Sequence, residues 1–138
     1  MVQNPPEGYP RVVPYLLYED AGAALNWLTK AFGFEELERI EGPDGVSHAE
    51  MAVGDSRIML GSPGPGYRNP DHLGGTTQNL YIYVDNVDEH CARAKAAGAT
   101  IIEDVAVQDY GDRRYGARDP EGHCWWFAQP IHDRPRDR

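Results

Sequence analysis

His48 and Glu50, in the run Val46-Ser-His-Ala-Glu-Met-Ala-Val53, are the pair whose types and spacing could do chemistry. Residues i and i+2 of a strand share one face. A carboxylate placed there can orient or charge the imidazole for general acid–base catalysis. The plainer alternative is a structural hydrogen bond or a solvated strand edge, and a metal held by the pair with a third residue is another. His72, His90, His123 and His132 share no spacing and are expected to be structural or exposed. Asp112, Arg113, Arg114 and Arg118 alternate along one segment. They are expected to pair with one another at the surface, with Arg114 reaching a ligand as the alternative. Cys91 and Cys124 stand in no C-x-x-C spacing, so neither a disulfide scaffold nor a zinc ribbon is indicated. Cys124 is expected to be a small packed hydrophobe, because the sequence supplies it no activating partner.

The elements that must position these residues occur twice. An apolar, aromatic-rich run ends at Asp20 in one half and at Asp85 in the other, and each Asp is placed to cap a helix. Gly33 and Gly98 follow at the same distance, so each helix is framed by an Asp and a Gly. The first helix carries Ala24, Leu25, Leu28, Ala31 and Phe32 as a stripe of three-four spacing; the second carries a thinner one of Val87, Cys91, Ala94 and Ala97. Three strand candidates follow each helix: 34–41, 46–53 and 56–61, then 99–107, 110–118 and 123–129. The turns Gly42-Pro-Asp-Gly45 and Asp119-Pro-Glu-Gly122 separate strands within each set. Each half therefore reads β-α-β-β-β. Residues 62–77 hold a dense series of Pro and Gly and form the linker between a first module of about 11–61 and a second of about 78–130. One domain spans 9–130, with residues 1–8 and 131–138 expected to be flexible.

A chain of 138 residues is long enough to bury a core without staples. Thirteen Lys and Arg against 22 Asp and Glu give a net charge of −9, a field that repels phosphate backbones. Nucleic acid is therefore not an expected partner. No apolar run reaches membrane-spanning length, and the start of the sequence lacks a signal peptide's pattern. The expected place is the reducing cytoplasm.

The duplicated β-α-β-β-β unit, the framed helices and the run Tyr115-Gly-Ala-Arg-Asp-Pro-Glu-Gly-His-Cys-Trp-Trp-Phe127 resemble the glyoxalase/bleomycin-resistance/dioxygenase superfamily, also called vicinal oxygen chelate proteins. The resemblance implies an α+β fold in which two modules pair their sheets into a cup, commonly as a homodimer. It also implies one divalent ion held from the first and last strands of each module. Those positions here hold Val13, Met59, Asn79 and Trp126. Val13 has no donor atom, Trp126 offers an N–H and no lone pair, Met59 a soft thioether and Asn79 a weak amide. No metal and no cofactor are therefore expected at this site.

Carrying the same positions along each strand fixes which residues would line the cup. They are Tyr15, Arg57, Met59, Asn79, Tyr81, Tyr83 and Trp126, with Cys124 and Ala128 beside them and His48 and Glu50 as polar points. Trp125 must point away from Trp126 into the core. An aromatic lining with few polar groups suits a small aromatic or cationic molecule. The tyrosines could equally fill a closed sheet interface or a dimer contact. The expectation is a metal-free binding or sequestering protein of bleomycin-resistance type. The alternatives are a metal-free isomerase or lyase using His48 and Glu50, and a metal-dependent glyoxalase or dioxygenase.

Overall fold

The computed structural model describes residues 2–133. The flexibility expected of residue 1 and of 134–138 lies outside the described residues. The chain divides into two compact units between Asn69 and Pro70, inside the linker expected at 62–77. Together they hold two four-stranded mixed sheets and a few helices, an α+β architecture. Among the described residues no helix is long and apolar enough to cross a membrane.

The first unit contains β1 (Tyr15–Leu17), α1 (Ala21–Phe32), β2 (Glu35–Gly42), β3 (Gly45–Val53) and β4 (Ser56–Gly61). Its sheet order is β1-β4-β3-β2, with β1 parallel to β4 and the other pairs antiparallel. Helix α1 has the expected bounds. The Asp20 carboxylate accepts a bond of 3.0 Å from the Ala23 N–H at its start. Gly33 ends it at φ 73°, where a side chain would be strained. Its stripe of Ala21, Ala24, Leu25, Leu28, Ala31 and Phe32 is buried against the sheet, whose strands β3 and β4 bury Met51, Ile58 and Leu60. Each fully buried Leu or Phe contributes about 1.5–3 kcal/mol.

The second unit contains α2 (Pro70–Leu73), β5 (Asn79–Tyr83), α3 (Val87–Ala96), β6 (Thr100–Val107), β7 (Asp112–Arg118) and β8 (Cys124–Pro130). Its sheet repeats the first, with order β5-β8-β7-β6 and β5 parallel to β8. Asn86, not Asp85, caps α3. Its side-chain oxygen accepts from the Glu89 N–H at 3.1 Å while Glu89 accepts from the Asn86 amide at 2.7 Å. This reciprocal pair is available one residue later than the expected Asp, and it moves the helix start. The short helix α2 was not expected from the glycine- and proline-rich linker; its Asp71 N–H bonds the Glu121 carbonyl. Strand β7 begins at Asp112 rather than Tyr110, because Gly111 turns the chain at φ 105°.

Both cysteines are free thiols. Cys91 is buried in α3, and burial pushes its thiol up. Cys124 is half-buried on β8. A water-soluble thiol reagent is expected to label Cys124 in the native protein and Cys91 only in urea, as peptide mapping of the adducts would read. Native labelling of Cys91 ahead of Cys124 would contradict this packing.

Candidate functional site

Pairing across each sheet lines up side chains on the face away from the helix. In the first unit Tyr15 lies opposite Met59, Met59 opposite Glu50, and Glu50 opposite Glu38. In the second unit the matching row is Tyr81, Trp126, Gly116 and Glu103. Strand alternation holds as expected. Trp125 and Phe127 are fully buried, while Tyr15, Tyr81 and Tyr83 are 52%, 39% and 51% exposed, high values for such large rings.

In the first unit His48 and Glu50 do come together. His48 Nε2 lies 3.1 Å from Glu50 Oε2, and the Tyr15 hydroxyl lies 2.8 Å from His48 Nδ1. A carboxylate only accepts, so Nε2 carries a proton; the Nδ1 of the neutral ring then accepts from Tyr15. The second Glu50 oxygen accepts from the Tyr9 hydroxyl. Burial alone would raise the Glu50 carboxyl, but the bonds from Tyr9 and His48 outweigh it and hold the group below its ordinary value. The Tyr15 ring reaches His48 by passing over Gly61, where a Cβ would stand 2.8 Å from the ring. Arg57 is tied to residues preceding β1: its Nε donates to the Gly8 carbonyl at 2.8 Å and its guanidinium sits 4.4 Å from the Tyr9 ring centre. Tyr9 and Glu38 were not among the expected site residues. Glu38 was reachable through the hairpin that pairs β2 with β3, but a bulge between Ile40 and Glu41 breaks a simple count. Nothing in the sequence pointed to Tyr9.

In the second unit the expected surface pairing of Asp112, Arg113 and Arg114 does not occur. Asp112 is fully buried and accepts from the hydroxyls of Tyr81 at 2.7 Å and Tyr83 at 3.0 Å. Arg113 pairs instead with Asp88 of α3 through two bonds of 2.8 and 3.0 Å. Arg114 lies 4.7 Å above the Trp126 ring, donates to Tyr110 at 3.0 Å and faces Glu103 at 3.4 Å. The cause is alternation along a buried strand: Asp112 and Arg114 share one side of β7 and Arg113 takes the other. Tyr81 is pushed up by burial and by its bonds to Tyr110 and Asp112, so it stays a neutral phenol. With both hydroxyls turned to Asp112, Tyr81 and Tyr83 present rings to the surface, edge to face at 5.6 Å. Asn79 is exposed at the start of β5, Val13 precedes β1, and Met59 is half-buried in its row. His90 bonds the buried Tyr115 hydroxyl at 2.5 Å, a structural role as expected. The donor set Val13, Met59, Asn79 and Trp126 does not fit a divalent ion. Trp126 additionally lies under a guanidinium cation.

Comparison with known proteins agrees with the fold. The sequence pattern of the Glyoxalase/Bleomycin resistance protein/Dioxygenase superfamily matches residues 10–127. Uncharacterized protein Rv0887c of Mycobacterium tuberculosis is 35% identical over 130 residues, 90% of this chain and 76% of that protein. Among solved structures, TioX from Micromonospora sp. ML1 is similar at TM-score 0.73 and 34% identity, over 87% of this chain and 98% of that one. TnmS3 from Streptomyces sp. CB03234, described as an antibiotic binding protein, superimposes at TM-score 0.62 over 86% of this chain and 95% of its own, a likeness of fold at 21% identity.

Proposed function

We propose, from the premise that this chain belongs to the Glyoxalase/Bleomycin resistance protein/Dioxygenase superfamily, that it binds a small aromatic or cationic molecule without transforming it. The observation that carries this reading is the exposed aromatic face of the second unit, where Tyr81, Tyr83 and the Arg114–Trp126 stack stand on a buried polar support. Rings held this firmly lose little freedom when a planar ligand settles on them. Tyr15 and Met59 offer a similar surface on the first unit, with His48, Glu50 and Arg57 as its polar groups, and Asn79 extends the second. No ion in the inherited positions is needed, because their side chains do not suit one. The antibiotic binding described for TnmS3 supports the ligand class for this chain. A homodimer, as the resemblance implies, would add a second copy's surface; sedimentation would report it.

The test is a thermal-shift screen of planar aromatic and cationic compounds, followed by mass spectrometry of the incubated ligand. A compound at a hundredfold excess over its Kd is expected to stabilise the protein by about 2.7 kcal/mol. It is also expected to be recovered at unchanged mass. A product of altered mass, formed in proportion to enzyme, would overturn the reading in favour of catalysis.

A further inference from the structure

We infer that the first unit holds a divalent transition-metal ion on Glu38, His48 and Glu50, apart from the four positions the family uses. Each of these residues offers a ligand atom, and the three atoms lie within 4.8 Å of one another. Glu38 and Glu50 sit directly opposite each other on neighbouring strands, an arrangement in which like charges repel. A chain of net charge −9 makes that costlier. The Glu38 side chain makes no hydrogen bond or ion pair with any other described residue, although its carboxylate is turned toward the other two.

The second unit shows how the same row is balanced elsewhere. Glu103 occupies the place of Glu38 and faces the guanidinium of Arg114, which stands where His48 stands. Gly116 there replaces Glu50. One acid thus meets one permanent cation, whereas in the first unit two acids share one imidazole and the field of Arg57, which leaves a negative charge over. The missing charge is what an ion would supply.

The chemistry of the three groups sets the ion's class. One imidazole with two carboxylates suits Zn²⁺, Mn²⁺ or Fe²⁺, with open positions for water, and disfavours Mg²⁺. The surroundings are those of an outer shell. With the ion on Nε2 the ring would carry its one proton on Nδ1, whose N–H would donate a hydrogen bond to the Tyr15 oxygen as that hydroxyl turns its own hydrogen away. Tyr9 fixes the Glu50 oxygen that faces it.

The inference does not rest on ligand binding by the aromatic faces. Its test is calorimetric titration of tag-free, chelator-stripped protein with Zn²⁺, Mn²⁺ and Mg²⁺. A single Zn²⁺ or Mn²⁺ per chain is expected, with little response to Mg²⁺. Glu38→Gln and His48→Ala should each weaken that binding roughly tenfold or more, while Glu103→Gln leaves it in place. Glu38 is exposed, so its amide variant is not expected to disturb folding, and circular dichroism would check this. No saturable binding, or an affinity untouched by Glu38→Gln, would overturn the site whatever the outcome of the ligand screen.

Discussion

Replacing Asp119 with alanine is expected to destabilise the protein by about 3 kcal/mol, as read by urea denaturation. One carboxylate oxygen accepts from the backbone N–H groups of Glu121 and His123 at 3.0 and 3.1 Å. The other accepts from the Trp125 indole N–H at 3.0 Å, in a contact shut off from water. One side chain therefore closes the Asp-Pro-Glu-Gly turn and satisfies the largest side chain of the second core. Alanine leaves those donors without this acceptor. Hydrogen bonds to a charged group contribute about 1.5–3 kcal/mol, and bonds sharing one acceptor do not add in full. Since whole domains are stable by only about 5–15 kcal/mol, the variant would sit near its unfolding limit at 37 °C. Asp119→Asn keeps an acceptor for the turn but presents an amide toward the indole or gives up the backbone bonds, and should lose about half as much. Wild-type stability in the alanine variant would mean that the turn is held by other contacts.

That turn was legible in the sequence, and so was most of the fold. The bounds of α1 and β4 follow from an apolar stripe, a capping Asp, a left-handed Gly and two short turns, all local chemistry. The slip at Asp85 was local too: two residues able to cap stood side by side, and only Asn86 had an acid three positions on to complete the exchange. The site was less legible because it depends on register across strands. His48 and Glu50 could be found on one strand by their i, i+2 spacing. Glu38 required knowing how far β2 slides along β3 past the irregularity between Ile40 and Glu41. Asp112 looked like a surface charge among arginines, since nothing in its neighbours announces the hydroxyls of Tyr81 and Tyr83 from a distant strand. Tyr9 lies before any strand, where periodicity carries no information.

Gly116→Ala is the substitution expected to harm ligand binding most for its size. A Cβ at this position would stand 2.6 Å from the Trp126 ring, closer than real carbon contacts allow. The indole is large and rigid, it is stacked with Arg114, and Arg114 is itself engaged with Tyr110 and Glu103. The ring cannot yield by a small rotation without breaking that chain of contacts. Overpacking of this kind costs about 1–3 kcal/mol. The same displacement removes the aromatic platform, so affinity for a stacking ligand should fall roughly tenfold or more. Gly61→Ala supplies the parallel case, because its Cβ would meet the Tyr15 ring at 2.8 Å and part that ring from His48. The fluorine resonance of Trp126 in fluorotryptophan-labelled protein, assigned by Trp126→Phe, would follow its displacement and leave the Trp125–Asp119 bond in place. A Gly116→Ala protein that binds its ligand unchanged would show that Trp126 takes no part.

The most direct test of the account is a crystal structure of the protein with a compound drawn from the thermal-shift screen. The account predicts an intact ligand stacked on Trp126 or on the exposed rings of Tyr81, Tyr83 and Tyr15, with Val13, Met59, Asn79 and Trp126 coordinating nothing. A ligand seated elsewhere with those rings untouched, or a cation gripped at those four residues, would contradict it.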